Sequence, residues 1–308
     1  MTVLVTGASG FVGSVVAHEA LRRGMTVHGC SRRAEAPAGF EGRWQQVVWS
    51  EGAEPLAVTL EKVRPDVVMH AAGSASVGDS LKTPHADLQA SLGTWSVLLE
   101  AVRLSGQKPV LVFPSSAAVY GNPQSLPVAE DSECKPVSPY GWHKLLCEGL
   151  ARSHADAFGA RIVIARLFSV FGEHQRRLLL WELFDRLQRD PGPLSLMGSG
   201  RESRDFIGER EMASALLDLA RLKGLEPAGG EPLVVNVASG QEMTTLGMAQ
   251  LLTSLCAPGR EIHCLGQARH GDPLRWCADV SRLHDLLPGF RGADVADTLR
   301  DAIAGWGA

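Results

Sequence analysis

Tyr140 and Lys144 are the residues whose types and spacing most directly suggest chemistry. They lie four positions apart in SPYGWHK, so on a helix they share one face. A neighbouring ammonium favours the phenolate form of a tyrosine, which can then relay a proton as a general acid or base. Such a pair on an exposed helix is ordinarily solvated surface, but Ser115 and Ser116 end the preceding apolar stretch and offer a hydroxyl to a substrate oxygen. The four residues together predict a catalytic site.

A second chemical signal is the glycine-rich stretch TGASGFVG near the start of the chain. Gly7, Gly10 and Gly13 recur at three-residue intervals between an apolar, β-branched stretch and a segment with helical spacing. Glycine at such a strand-to-helix turn permits a tight turn, lets a phosphate approach the amides of the helix N-terminus and lets the helix pack on the strand. The stretch therefore predicts a dinucleotide site, and a glycine-rich turn without a ligand is the alternative.

Ser31, Arg32 and Arg33 follow the second predicted strand, where NAD-binding folds commonly place an acidic residue that bonds the adenosine ribose. Two guanidinium groups at this position suit a 2′-phosphate, because the planar fork can bind it bidentately. We therefore favour NADP(H) as the cofactor, with NAD(H) as the alternative. The simpler interpretation is that both arginines point into water.

Alternating strands and helices supply the framework that would position these residues. Strands are predicted at VLV, MTVHGCSRR, WQQVVW, PDVVMHAAG, PVLVFPSS and RIVIARLF, and the helices between them include 53–63, 88–102 and 140–158. Regular alternation predicts an α/β fold with a doubly wound parallel sheet of the Rossmann type.

The pattern changes from about residue 168 onward. A helix LLLWELFDRLQ is followed by a turn-rich stretch PGPLSLMGSGRESRDF, a helix near 209–222 and a strand LVVNVAS. We assign residues 1–167 to a dinucleotide-binding domain and 168–308 mainly to a smaller C-terminal substrate-binding region, some segments of which return to the first domain. Such a region would cover the carboxyl ends of the strands, where open α/β sheets bind ligands.

Composition excludes several classes of protein. The chain has 308 residues, 45% of them hydrophobic, and a net charge of -4, so nucleic acid is not an expected partner. No apolar run approaches the length of about 18 residues that a membrane span requires. The six cysteines form no CxxC pair. We expect a cytoplasmic protein with reduced thiols, no metal site and no membrane partner.

The chain as a whole resembles the extended short-chain dehydrogenase/reductase family, which includes nucleotide-sugar epimerases, dehydratases and reductases. The motifs that carry the resemblance fall in the family's order and approximate spacing: TGASGFVG, HAAGSASV, FPSSAAVYG, SPYGWHK, RLFSVFG, SRDFIGERE, NVASG and RHGDPLRWCADVSR. The resemblance covers most of the chain. It implies a nucleotide-sugar substrate and a homodimer formed through the helices at 88–102 and 144–158.

The resemblance also implies roles for individual residues. Tyr140 looks like the catalytic acid/base, Lys144 the residue that bonds the nicotinamide ribose, and Ser116 the hydroxyl that orients the substrate. Cofactor contacts are expected from Gly7, Ser9, Gly10, Phe11, Val12, Gly13, Ser31, Arg32, Arg33, Ala71, Ala72, Gly73, Tyr140 and Lys144. Substrate contacts are expected from Ser115, Ser169, Arg204 and Arg269. The two arginines would grip a diphosphate, although Arg204 could instead pair with a neighbouring acid and staple a turn.

Departures from the family pattern restrict the reaction. Ala117 and Ala118 stand where 4,6-dehydratases of the family carry an Asp-Glu pair, so that dehydration is not expected. Ala90 and Ser169 replace asparagines that are frequent in the family. His143, inside the YGWHK motif, is expected to be a packing or surface residue rather than a catalyst.

Three functions remain, and they differ in how the dinucleotide is used. The leading hypothesis is an NADP(H)-dependent reductase of a nucleotide-bound 4-keto-6-deoxyhexose, in which hydride passes to C4 and Tyr140 protonates the oxygen. The alternative is a nucleotide-sugar 4-epimerase that oxidises and reduces C4 with a retained NAD. A non-catalytic dinucleotide sensor is a third hypothesis, which the combination of Ser116, Tyr140 and Lys144 disfavours.

Overall fold

The computed structural model describes residues 1–33, 35–36, 40, 42–225, 230–267, 271 and 273–307. The strands of this part of the chain are β1 (Thr2–Thr6), β2 (Thr26–Ser31), β3 (Trp44–Gln46), β4 (Val67–His70), β5 (Val110–Ser116), β6 (Arg161–Leu167), β7 (Ser169–Phe171), β8 (Leu194–Leu196), β9 (Ser203–Gly208), β10 (Leu233–Val237), β11 (Glu242–Thr244) and β12 (Ile262–Cys264).

The α-helices of the same residues are α1 (Phe11–Arg22), α2 (Glu54–Val63), α3 (Val77–Lys82), α4 (Pro84–Leu88), α5 (Thr94–Ser105), α6 (Pro139–Phe158), α7 (Leu178–Arg189), α8 (Glu209–Leu219), α9 (Thr245–Cys256), α10 (Ser281–Leu286) and α11 (Val295–Trp306). The continuous helix expected at 88–102 is interrupted, because a π-helical turn, Gln89–Gly93, separates α4 from α5. Single π-helical turns of this kind occur preferentially at functional sites.

Seven parallel strands form the central sheet in the order β10-β6-β5-β4-β1-β2-β3. The chain leaves β1 in one direction towards β2 and β3, and in the other direction towards β4, β5 and β6. The strand order therefore reverses at β1, and the carboxyl ends of β1 and β4 flank the crevice where such sheets bind ligands. The predicted doubly wound α/β fold is confirmed.

The sheet is buried on both faces, as its apolar strands require. Val3 and Val5 pack in one apolar cluster with side chains of α1 and α8, whereas Leu4 between them packs in another cluster with α2, α5 and α6. Because successive side chains of a strand point to opposite faces, this division places a layer of helices on each side of the sheet.

The second half of the chain forms its own smaller apolar cluster around Phe184, Phe206 and Trp306. Two short sheets belong to this region, β11-β9-β7 and β12-β8. The stretch 191–206, predicted to be rich in turns, also contains β8 and the beginning of β9, which the sequence pattern did not predict. Both strands are short, and their partners lie far away along the chain, which leaves little local signal.

Residues on both sides of position 167 contribute to the central sheet. Strand β10 pairs in parallel with β6, and α8 packs against α1. The boundary at 167 stays a prediction. None of the helices in the described ranges has the length and apolar character needed to cross a bilayer.

Candidate active site

The first turn of α6 is built to hold Tyr140 in place. The Ser138 hydroxyl caps the helix by accepting a hydrogen bond from the amide of Gly141 at 3.2 Å, and Pro139 occupies the first helical position. The amide of Tyr140 donates to the Ser80 hydroxyl of α3 at 3.1 Å. Since the amides of a first turn lack partners within the helix, these bonds anchor the turn to the neighbouring α3.

Tyr140 and Lys144 lie together in a mostly apolar setting, with 9% and 7% of their surfaces exposed. The Lys144 Nζ atom donates to the carbonyl of Pro114 at 2.9 Å and lies 4.9 Å from the centre of the Phe113 ring and 5.8 Å from that of Tyr140. Among the described residues, no carboxylate pairs with this ammonium, and no side chain bonds the Tyr140 hydroxyl. The pair therefore combines a positive charge without a counter-ion and a phenol that is free to bond a ligand.

Ser116 ends β5 directly beside this turn. Its hydroxyl accepts a hydrogen bond from the amide of Ala118 at 3.2 Å and caps the short 3-10 turn Ala117–Val119. That turn packs on α6 so closely that a Cβ atom on Gly141 would lie 2.5 Å from the Ala118 carbonyl oxygen. The glycine of the Tyr-Gly-Trp-His-Lys motif thus lets Ser116 and Tyr140 share one corner of the fold.

Ser115 has a different environment, although it is adjacent in sequence. Its hydroxyl donates to a buried carboxylate oxygen of Glu148 at 2.6 Å, and only 2% of the residue is exposed. The same carboxylate binds Arg166 through Nε at 3.1 Å and Nη2 at 2.8 Å. The substrate contact predicted for Ser115 stays a prediction, and the bonds of its hydroxyl are those of a structural group.

Glu148 and Arg166 form the centre of a buried polar network that sequence reasoning missed. Arg166 Nη1 also donates to the Tyr120 hydroxyl at 2.9 Å, which in turn donates to Asn236 at 2.6 Å. Burial alone would lower the pKa of Arg166, but its bonds to Glu148 outweigh burial and raise the pKa. Burial raises the pKa of Tyr120, although the nearby positive charge of Arg166 opposes this shift. Tyr140, Lys144 and Glu148 follow one another at intervals of four residues, so they share a helical face. This spacing is the one sequence signal that could have indicated the network.

His70 lies at the carboxyl end of β4, near Lys144. Its Nδ1 atom is 2.9 Å from the Thr6 hydroxyl, and its ring packs 5.0 Å from that of Trp95. Burial, assisted by the positive charge of Lys144, lowers the pKa of His70 to about 3. The imidazole is therefore neutral at physiological pH and does not add a second positive charge beside Lys144.

The three glycines form a cradle between β1 and α1. A Cβ atom on Gly7, whose φ is +67°, would lie 2.5 Å from the amide nitrogen of Ala72, and one on Gly13 would lie 2.3 Å from the Gly7 carbonyl oxygen. Gly10 is the N-cap of α1 and brings no capping side chain, and the first turn has no acidic residue. Because no side chain caps the amides of that turn, the cradle fits a phosphate group.

Other predicted cofactor residues border the same cradle. Ser9 lies in the turn before α1, Phe11 and Val12 open the helix, and Ala71–Gly73 follow β4. The amide of Ala72 lies 3.4 Å from the Thr6 hydroxyl, which ties the end of β4 to that of β1. The cofactor stretches at 7–13 and 71–73 are thus brought together at the carboxyl edge of the sheet.

The tip of β2 presents two exposed arginines. Ser31 is buried, and its hydroxyl accepts a hydrogen bond from the amide of Arg33 at 3.0 Å. The carbonyls of Arg32 and Arg33 accept bonds from Gln46 and Trp44 of β3, which fixes the backbone of the tip. Neither guanidinium forms an ion pair with a described residue, so no described carboxylate competes with an anion at this tip.

The predicted substrate residues lie in the smaller sheets or beyond the described residues. Ser169 begins β7 and is half-buried. Arg204 belongs to the neighbouring strand β9, and its guanidinium carbon lies 5.3 Å from the centre of the Trp276 ring. Arg269 falls outside the described residues. The buried carboxylate of Asp205 accepts hydrogen bonds from the amides of Ser239, Gly240 and Ala278 and from the Ser239 hydroxyl, so Asp205 stabilises the strand that presents Arg204.

His143 has a partner that the sequence did not indicate. Its Nδ1 atom lies 2.5 Å from a carboxylate oxygen of Asp87, which is 4% exposed and belongs to α4. This contact links α4 to the helix that carries Tyr140 and Lys144. His143 is therefore a half-buried interhelical contact, which is the packing role expected from the sequence.

The sequence profile of the NAD dependent epimerase/dehydratase family matches residues 3–238. The chain is 30% identical to a UDP-glucose 4-epimerase of Azospirillum brasilense, with 99% of this chain and 91% of that protein covered. It is 27% identical to a probable UDP-glucuronate 4-epimerase of Rhizobium meliloti, with 99% and 95% covered.

Solved structures of similar shape carry related activities. A UDP-glucuronic acid 4-epimerase from Bacillus cereus, in complex with UDP-glucuronic acid and NAD, superimposes with a TM-score of 0.87 at 25% identity and covers 100% of this chain and 99% of its own. An NAD-dependent NDP-hexosamine 5,6-dehydratase, TunA, superimposes with a TM-score of 0.86 at 26% identity, with 99% and 97% covered.

Proposed function

This chain belongs to the NAD-dependent epimerase/dehydratase family, and from that premise we propose that it is a nucleotide-sugar 4-epimerase that uses a retained nicotinamide dinucleotide. The observation that carries the proposal is that the Lys144 ammonium, which pairs with no described carboxylate, lies beside the Tyr140 hydroxyl, which bonds no described side chain. The 4-epimerases named among its relatives favour inversion at C4 over the reduction expected from the sequence. They also favour UDP-hexoses and UDP-hexuronates as the substrate class.

In this reaction Tyr140 removes the proton from the C4 hydroxyl as C4 is oxidised and returns it when C4 is reduced from the other face. The positive charge of Lys144 stabilises the phenolate form of Tyr140, which accepts the proton and is formed again when the proton is returned. Ser116 donates its hydroxyl hydrogen to the C4 oxygen and holds it beside Tyr140. Because the same proton is taken and returned, the cycle needs no net proton uptake.

The cofactor would supply a hydride acceptor and donor at C4. The cradle formed by Gly7, Gly10 and Gly13 would hold its pyrophosphate, and Lys144 would bond its ribose. With the dinucleotide held in this way, the sugar must rotate to present its opposite face to the same reacting atom. The half-buried position of Ser169 and the stacking of Arg204 on Trp276 favour these residues as contacts for the sugar and the diphosphate.

The reductase is a second candidate because of Arg32 and Arg33. Both are exposed at the tip of β2, where their guanidinium groups suit the 2′-phosphate of NADP(H). A reductase draws on a pool of NADPH and exchanges its cofactor at every turnover, whereas an epimerase keeps it. The two candidates therefore differ in which nucleotide accompanies the purified protein.

The test combines cofactor identification with a substrate panel. The nucleotide released from the denatured protein is identified by mass, and the native protein is incubated with UDP-glucose, UDP-glucuronic acid and UDP-N-acetylglucosamine. Interconversion at C4 without net change in nicotinamide absorbance supports the epimerase. Stoichiometric consumption of NADPH with a nucleotide-bound 4-keto-6-deoxyhexose would establish the reductase instead.

We expect a homodimer formed through α5 and α6. Trp142 and Leu146 lie one turn apart on α6 and are 51% and 50% exposed, and Leu104 of α5 is 41% exposed. Large apolar side chains that share an exposed helical face favour burial against a second copy. Light scattering should give twice the monomer mass, and Trp142→Glu should give a monomer. A monomeric wild type would refute the dimer.

A further inference from the structure

A group of imidazole and carboxylate side chains lies outside the candidate active site, at the start of α8. Glu173 and His174 lie in the segment between β7 and α7, and Glu209 is the first residue of α8. One ligand atom from each of these three residues lies within 4.8 Å of the others. The group lines a recess of about 1100 Å³ between α1, α8 and residues 286–291, and none of the predicted catalytic or cofactor residues lines it.

Glu209 is the buried centre of this group. Only 3% of its side chain is exposed, and its two oxygens lie 3.1 Å from the amide and 2.5 Å from the Nδ1 atom of His174. A Cβ atom on Gly172 would lie 2.2 Å from the Glu209 side chain, so only glycine permits this approach. Trp306 of α11 holds the same glycine from the other side by donating to its carbonyl at 3.1 Å. The position of the carboxylate is therefore determined by packing.

The charges around the recess favour a cation. Five carboxylates and three guanidinium groups line it: Glu19, Glu173, Glu209, Glu211 and Asp218, and Arg22, Arg210 and Arg291. Glu19 pairs with Arg22 and Arg23, and Asp218 pairs with Arg23, so the negative charge that favours a cation comes from the other three carboxylates. Arg210 lies 3.1 Å from Glu173, but 61% of its side chain is exposed, so it can turn into water when Glu173 takes another partner. Among the described residues, the hydrogen bonds to the buried Glu209 carboxylate come from His174 alone. The base of the recess is therefore negatively charged.

A fourth candidate ligand comes from α1. His18 is exposed, lines the same recess and lies 5.8 Å from His174 between ring centres. Two imidazoles and two carboxylates from three separate segments thus converge on one place. Imidazole nitrogen with carboxylate oxygen is the ligand set of Zn²⁺ and similar transition-metal ions, whereas Mg²⁺ and Ca²⁺ take oxygen ligands.

We propose that Glu173, His174 and Glu209, with His18 as a further ligand, bind one divalent transition-metal ion. The ion takes the place of the proton between His174 and Glu209, and that proton passes to solvent. Bound in this way, it joins α1, α8 and the segment that leads into α7. The site is separate from the candidate active site, and the inference does not depend on the proposed function.

Cobalt(II) is the probe for the first experiment, because its absorption spectrum reports the ligands. The untagged full chain, freed of metal, is titrated with Co²⁺ in a calorimeter and in a spectrophotometer. We expect one ion per chain and ligand-field bands without thiolate-to-metal charge transfer. Absence of binding would overturn the proposal, and so would a thiolate band, since that would assign the ion to cysteines.

Variants locate the ion. His174→Ala should abolish binding, and because 40% of this side chain is exposed, the variant should fold. His18→Ala should weaken binding about 10- to 100-fold. His263→Ala is the matched control, since this exposed histidine lies 3.5 Å from Glu261 but outside the recess, and its affinity should equal that of the wild type. Binding that survives His174→Ala would refute the site.

Thermal unfolding gives a second, independent readout. A ligand that binds only the folded state raises the unfolding midpoint as its concentration rises. Zn²⁺ should raise the midpoint of the wild type and of His263→Ala but leave that of His174→Ala unchanged. An equal shift in all three proteins would mean that the ion binds elsewhere, which would contradict the proposal.

Discussion

Helix α6 carries two buried charges on one face, and the fold treats them in opposite ways. Glu148 is bound by Arg166 through two hydrogen bonds, and both side chains are at most 2% exposed. Lys144, one turn earlier, is 7% exposed and has a single bond to a backbone carbonyl. Removing a charge from water is costly unless a partner compensates it. The paired charge is therefore structural, and the unpaired one is the charge we assign to function.

The same contrast separates the two tyrosines of the chain. The Tyr120 hydroxyl bonds Asn236 and Arg166 in the buried network, whereas the Tyr140 hydroxyl bonds none of the described residues. Adjacent Ser115 and Ser116 differ likewise, because one donates to Glu148 and the other lies at the active-site turn. Matched substitutions in each pair can test whether function and stability divide in this way.

The largest effect is expected from Tyr140→Phe. Turnover should fall about 10²- to 10⁴-fold, since the proton relay is lost, while dinucleotide binding and the unfolding midpoint stay near wild type. Tyr120→Phe should keep its turnover but lose about 1–3 kcal/mol of unfolding free energy, because Asn236 and Arg166 lose a partner. Epimerase assays and urea titrations on both variants measure the two quantities. Equal losses of turnover would contradict the different roles that we assign to the two tyrosines.

The second prediction concerns the two cations. Arg166→Met should lower the unfolding free energy by about 3–5 kcal/mol, because it leaves Glu148 buried without compensation. Lys144→Met should change that free energy by no more than about 1 kcal/mol, since loss of one hydrogen bond is offset by removal of an unpaired charge. Its turnover should nevertheless fall sharply. Chemical denaturation measures the unfolding free energy of both variants. Comparable destabilisation by the two would contradict our assignment of Lys144 to function.

The adjacent serines provide a finer test. Ser116→Ala should lower turnover about 10²-fold, because the C4 oxygen loses a donor that is worth most in the transition state. Ser115→Ala should leave turnover unchanged and cost about 1–3 kcal/mol of stability through Glu148. Steady-state kinetics with matched denaturation curves measure both effects. A loss of turnover in Ser115→Ala but not in Ser116→Ala would contradict this assignment and support the predicted substrate contact of Ser115.

The effect that is smallest near neutral pH, and that grows as the pH falls, is a pH dependence of stability that arises from His70. Its pKa is lowered from 6.5 to about 3, so below pH 6.5 the unfolded chain binds a proton that the folded chain does not. The contribution of neutral His70 to the unfolding free energy is fully present above pH 6.5. It is lost at up to about 1.4 kcal/mol per pH unit as the pH falls towards 3. His70→Asn should lack this component, and exposed His85→Asn should keep it.

Lys144→Met separates the two causes of the lowered His70 pKa. Burial is the main cause of the lowered His70 pKa, and the charge of Lys144 contributes less. In Lys144→Met the acid-dependent loss of stability should therefore persist but be smaller than in the wild type. Urea titrations of both proteins between pH 4 and 7 measure this loss of unfolding free energy. Complete loss of the component in this variant would mean that the charge, rather than burial, governs His70.

Local patterns were sufficient for the fold class and for the parts of the site that lie within one element. Strand and helix periodicities predicted the alternating order that forms the sheet, and the glycine spacing predicted the cradle at Gly7 and Gly13. The spacing of Tyr140 and Lys144 determined that they share a helical face, because 3.6 residues form one turn whatever surrounds the helix. These features depend on geometry that extends over only a few residues.

The tertiary structure alone decided which polar groups compensate one another. The pairs Glu148 with Arg166 and Asp87 with His143 join different elements, and β10 enters the central sheet from beyond residue 230. Only the resemblance to the family distinguishes Ser116 from Ser115, because by residue type the two are adjacent, identical hydroxyls. Successive strand residues point to opposite faces, however, and only the packing of α6 on β5 determines which face is the buried network and which is the candidate active site. Long-range contacts of this kind leave no periodic signal in the sequence, because they depend on how finished elements pack together.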